Sequence, residues 1–105
     1  MTIANLARGE VLAHLAGEGR KLCLTLGALA EIESAFGTDS WQGLIERMHK
    51  LSPSDLLVVL GALLKGGGEH EIAARLAHLP VNLPEAAQAV AAAFTAAAGP
   101  DAAKA

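Results

Sequence analysis

The chain is 105 residues long, carries a formal charge of −3, and is 52% hydrophobic by composition against 18% charged. A length near the usual ~100–150 residues predicts one domain, and the apolar fraction excludes a disordered polar chain. A weakly acidic chain of pI near 5.7 with three aromatics, Phe36, Trp41 and Phe94, lacks the basic patch and stacking platform of a nucleic-acid binder. Alanine (23 residues) and leucine (17) supply most of the apolar content. Cys23 is the sole cysteine, so no intramolecular disulfide forms. The first residues lack the basic start and continuous apolar core of a secretory signal. The longest bulky apolar run, Leu56 to Leu64, falls well short of the ~20 residues of a membrane-spanning helix. These features predict a soluble, intracellular protein that binds neither nucleic acid nor membrane.

The predicted elements begin with a β-hairpin over residues 10–26. Val11, Ala13 and Leu15 take one face of the first strand, Glu10 to Ala16, and Glu10, Leu12, His14 and Ala16 the other. Leu22, Leu24 and Leu26 alternate with Lys21, Cys23 and Thr25 in the second, Arg20 to Leu26. Gly17-Glu18-Gly19 reads as a three-residue connector. From Gly27 the period becomes helical, with Leu29, Ile32 and Phe36 on one stripe and Gly37 placed to end the helix. Thr38-Asp39-Ser40 predicts a second helix start, with Gln42 at capping-box spacing from Asp39 and a stripe of Trp41, Leu44, Ile45 and Met48.

Ser52-Pro53-Ser54-Asp55 is the clearest helix start, combining a serine cap, proline in the first turn and an acidic third position. The following helix has a wide stripe of Leu56, Leu57, Leu60, Leu63 and Leu64, broadened by Val58 and Val59, and stops at Gly66-Gly67-Gly68. A fourth helix spans Glu69 to His78, and a last one starts near Pro84-Glu85 and runs to Gly99-Pro100. The expected architecture is therefore α+β: an N-terminal β-hairpin followed by a compact bundle of about five short α-helices. It forms a single domain over residues 1–98 (helical part 27–98), with a flexible tail at 99–105.

The search for chemistry yields no catalytic, cofactor or metal residue. Glu69 follows none of the zinc-site patterns, because the HExxH spacing that starts at His70 would need histidine at Ala74, and His78 lies about 12 Å away along a helix. Gly17-Glu18-Gly19 joins strands and lacks the third glycine of a dinucleotide loop. Lys65 precedes its glycines at a helix end, where the dipole has the wrong sign for phosphate. Cys23 on an alternating strand reads as a small packed hydrophobe. What remains is surface for association. Leu51, Leu57, Val58 and Leu64 cannot all face one small core, and Trp41 sits in the first turn of a short helix. Trp41, Leu57, Val58 and Leu64 are the partner-binding candidates.

Three stretches, Asn5-Leu6-Ala7-Arg8-Gly9-Glu10-Val11, Leu24-Thr25-Leu26-Gly27-Ala28-Leu29-Ala30-Glu31-Ile32-Glu33, and Asp55 to Leu64 with Lys65-Gly66-Gly67-Gly68, resemble in order and spacing a family of small gene-transfer-agent and phage tail proteins described as tail tube or tail-assembly chaperones. The resemblance implies a non-enzymatic role in tail building. It offers two kinds of partner, the tape-measure protein and the tail tube protein. A chaperone would cover the apolar helices of the tape-measure protein until the tube closes around it. A tube subunit normally needs more extended strand than one hairpin supplies, which favours the chaperone. A structural tail component, retained in the particle, is the alternative, and a small regulatory interaction module is a third. The unprotected hairpin edges further predict a homo-oligomer.

Overall fold

Alternation and capping place the elements of the protein, whose computed structural model describes residues 9–15 and 17–98. The segment before Gly9, position 16 and the expected tail at 99–105 lie outside the described residues. Strands β1 (Glu10–Leu15) and β2 (Glu18–Cys23) pair antiparallel, with Glu10 opposite Cys23 and Leu15 opposite Glu18. Five helices follow: α1 (Leu26–Phe36), α2 (Trp41–Met48), α3 (Pro53–Gly66), α4 (His70–Arg75) and α5 (Leu83–Ala98). One 3-10 turn, Leu76–His78, continues α4. The α+β architecture of a hairpin and five helices is thus the one expected.

The hairpin is shorter and tighter than its alternation suggested. Leu15 pairs with Glu18, which leaves two positions for the turn, and Gly17 supplies the positive φ of 82° that such a turn requires. Gly19 is thereby freed from the connector and lies within β2, where its missing Cβ makes room for the Leu12 side chain. The far end of the second strand is cut off by a cap. Thr25 is extended, and its hydroxyl accepts the Ala28 N–H at 3.0 Å, so the helix begins at Leu26. Leu26 therefore stands 85% exposed on the first turn, off the strand face where alternation put it. At the other end, Gly37 closes α1 in the left-handed region, φ 70°, as its position predicts.

Caps also settle the next two helices. Ser40, not Asp39, starts α2: its hydroxyl accepts the Gly43 N–H at 3.0 Å. Ser52 and Asp55 form the full reciprocal capping box of α3. The Ser52 hydroxyl accepts the Asp55 N–H at 3.1 Å, and the Asp55 carboxylate accepts the Ser52 N–H at 3.2 Å. Arg47 binds the same carboxylate and stacks its guanidinium 4.7 Å from the Phe36 ring centre, so one side chain ties α2 to both α1 and α3. The Arg47 hydrogen bond, reinforced by the Ser52 N–H, holds the Asp55 carboxyl below its ordinary value of 3.8. Folding lowers this pKa, so the unfolded chain binds the extra proton at acid pH. The stabilisation is complete above the unfolded value and fades as pH falls through the folded one. Asp55→Asn is accordingly expected to lower the melting temperature at neutral pH, with the gap to the parent closing as pH drops below 3.8. Ser52→Ala should cost about 1 kcal/mol in urea unfolding.

α3 is the central element, in contact with α1, α4, α5 and β2. It buries Leu56, Val59, Leu60, Ala62, Leu63 and Leu64. α5 covers β1, and its small residues Ala86, Ala89 and Ala93 allow that close approach with Val90 and Phe94 filling the gaps. The last helix, expected to begin near Pro84-Glu85, starts one residue earlier at Leu83. The Asn82 carboxamide oxygen accepts the Glu85 N–H at 3.0 Å, placing Leu83 before Pro84 in the first turn.

Candidate partner-binding surface

The four candidate residues separate into three environments. Leu64 is fully enclosed, at 0% exposure, and belongs to the core; it cannot meet a partner in the folded chain. Its neighbour on the helical wheel, Leu57, is 41% exposed although the two differ by only about 20° in direction, being seven residues apart. Tertiary packing makes the difference. The C-terminal half of α3 is walled by α1, bridged by the Lys65–Glu31 ion pair, and by β2, whose backbone presses on Gly66 and Gly67. At Leu57 that wall is missing.

Leu57 and Val58 (37% exposed) form a ridge between two grooves. The first groove, about 210 Å³, is lined entirely by apolar residues, among them Pro53, Leu56, Leu60, Leu76 and Leu83. The second, about 370 Å³, runs past Gly61, Ala73 and Ala74 and has Glu31, Lys65 and His70 at its border. Leu57 borders both. A ridge with an apolar trough on one side and a small-residue trough with polar margins on the other has the relief that accepts a helix by ridges-into-grooves packing. Leu83, 53% exposed at the rim of the first groove, extends this surface. Residue patterning missed it, and the Asn82-to-Glu85 capping spacing was the available signal.

Trp41 is separate from the ridge. It is 44% exposed, and its ring lies 6.0 Å from that of Phe94 at a 32° tilt, so it seals α2 against α5 with one face and meets solvent with the other. A third groove of about 480 Å³ lies between the same two helices, lined by Ile45, Met48, Ala87 and Ala91 among others.

Titratable side chains do not converge. Among the described residues no group of three or more His, Cys, Asp and Glu is placed to hold a metal ion, and no helix is long and apolar enough to cross a membrane. Cys23 is buried on β2. Glu69 accepts the Lys21 N–H at 2.9 Å and stands 3.7 Å from Arg20, itself paired with Glu18. This chain of contacts fastens α4 to the hairpin.

Fold and surface together define a small α+β domain that presents apolar helix relief to its surroundings. The chain belongs to the phage tail tube protein family GTA-gp10, which matches residues 8–99. It is thus a protein of a phage or gene-transfer-agent tail family, as the three stretches of resemblance implied. No curated protein and no solved structure matches it.

Proposed function

We propose that the protein is a structural component of a phage-like tail, retained in the particle, and that it acts by association without catalysing a reaction. The observation that carries this reading is the tail tube family match over nearly the whole chain. It favours the structural alternative over the tape-measure chaperone first expected from the low strand content. The contact surface is the Leu57–Val58 ridge of α3 with the apolar groove that Leu83 borders, and its partners are neighbouring tail proteins. Leu57 and Val58 are 41% and 37% exposed, so covering what remains of each contributes roughly 0.6–1.2 kcal/mol.

One observation keeps the chaperone as a second reading. Among the described residues the sheet has two strands, little for a subunit that would build a wall from strands. Mass spectrometry of purified particles separates the two. A band stoichiometric with the other tail proteins is expected; absence from finished particles, with tape-measure protein becoming insoluble when this chain is deleted, would instead establish the chaperone. Leu57→Asp combined with Val58→Asp alters side chains that are 41% and 37% exposed and outside the buried core, so the isolated chain should still fold, with reduced stability, and should fail to enter tails.

A further inference from the structure

The solvent-facing side of α3 changes relief halfway along the helix. Ser54, Val58, Gly61 and Lys65 recur at spacings of four, three and four residues, so their directions fall within about 60° and form one outward seam. In its first half the seam protrudes, with Leu57 and Val58 standing out at 41% and 37% exposure. In its second half the helix sinks between its neighbours. The groove of about 370 Å³ there has Gly61 and Ala62 at its floor, Glu31 of α1 on one flank, and His70, Ala73 and Ala74 of α4 on the other. A Cβ at Gly61 would meet only Leu76 Cδ2, at 3.9 Å, so the middle of that floor is open.

A protrusion and a recess placed end to end on one helix complement each other when two copies run antiparallel, because a two-fold axis sets each protrusion in the other copy's recess. We propose that α3 packs antiparallel against α3 of a second copy of this chain, about a two-fold axis between Val58 and Gly61. The inference rests on reading the Leu57–Val58 ridge as a contact surface, and it names the partner of that surface.

In this arrangement Leu57 of each copy lies over Gly61 of the other and against its Ala73 and Ala74, while Val58 meets Ala62. The four-three-four spacing matches helices crossing near 20°, and glycine at the centre lets the axes approach to about 8 Å. Ser54 of each copy then faces Lys65 of the other. The charged groups of α3 are already paired within each copy, Lys65 with Glu31 and Asp55 with Arg47, so closing the seam leaves neither of them unmatched. The apolar groove that Leu83 borders lies to one side of the contact and stays open to other tail proteins.

Sedimentation of the full chain over a wide concentration range should show the weight-average mass rising from monomer to dimer. Gly61→Gln fills the trough from a position with open space, so it should leave the dilute chain folded and weaken association by roughly tenfold or more. Orientation is read by mild oxidation of an equimolar mixture of Ser54→Cys and Lys65→Cys chains. Antiparallel packing joins the two variants to each other; like positions sit about 16 Å apart along the helices, too far for either variant to cross-link with itself. A chain that stays monomeric at the highest concentration overturns the proposal, as does a dimer indifferent to Gly61→Gln or one in which Ser54→Cys cross-links to itself. Tail incorporation of Leu57→Asp with Val58→Asp is read separately. Exclusion of that variant alongside a monomeric parent removes the second copy as partner and leaves the tail contact in place. Normal incorporation alongside a dimeric parent keeps the dimer and removes the tail contact.

Discussion

Gly66→Ala is expected to destabilise the protein by about 3 kcal/mol or more, lowering the melting temperature by roughly 12 °C or more for a domain of this size. The reason is steric and has no cheap relief. A Cβ at Gly66 would overlap the carbonyl oxygen of Cys23 and crowd Thr25, and one at Gly67 would overlap that of Lys21. The obstructing atoms are strand backbone in both cases, fixed by the β1–β2 ladder on one side and by the Thr25 cap of α1 on the other. Overpacking can be absorbed when the neighbour is a flexible side chain; here either α3 or β2 must move. Gly61→Ala is the matched comparison. Its Cβ would meet only Leu76 Cδ2, at an ordinary 3.9 Å, so removing a mid-helix glycine should stabilise by about 0.5–1 kcal/mol. Thermal and urea unfolding of the two variants should thus move in opposite directions, and equal responses would refute the close contact between α3 and β2.

The second large effect separates Leu64 from Leu57. Leu64→Ala empties a fully enclosed site and should cost about 2–5 kcal/mol, the range for leucine truncation in cores. Leu57→Ala removes a side chain that is 41% exposed, and should stay within about 1 kcal/mol of the parent. In tail incorporation the order reverses: Leu57→Ala should be defective while fully folded. Urea unfolding and particle incorporation measured on the same pair check both halves.

That pair also marks how far the residue pattern reaches. Local chemistry was legible wherever a cap or a glycine decides the outcome: Ser52, Pro53 and Asp55 at the start of α3, and Gly37 at the end of α1. The β1 face was legible because Val11, Ala13 and Leu15 are all buried. Alternation misled at Leu24 and Leu26, where the Thr25 hydroxyl makes a better helix start than the ladder makes a strand end. The glycines of the hairpin misled because Gly17 lies in the turn with φ 82°, whereas Gly19 falls within β2, where a Cβ would press on Leu12. Of the candidate surface, Leu57 and Val58 were singled out as apolar residues in excess of what one core can hold and Trp41 by its place in the first turn of a short helix, and all three are exposed. Leu64 was grouped with them because periodicity reports direction around a helix and carries no information on which stretch of that helix the neighbours cover. Leu83 and Leu12 escaped notice for a related reason: their exposure follows from the placement of α5 and from the hairpin register.

Trp41 gives the molecule an intrinsic fluorophore at an informative position. The lone indole spans the boundary between α2 and Phe94 of α5, and α2 is a short helix whose one fully buried side chain is Leu44. Its emission therefore reports the seating of that helix, and a red shift preceding the loss of far-ultraviolet ellipticity would register α2 lifting away while the remaining secondary structure persists.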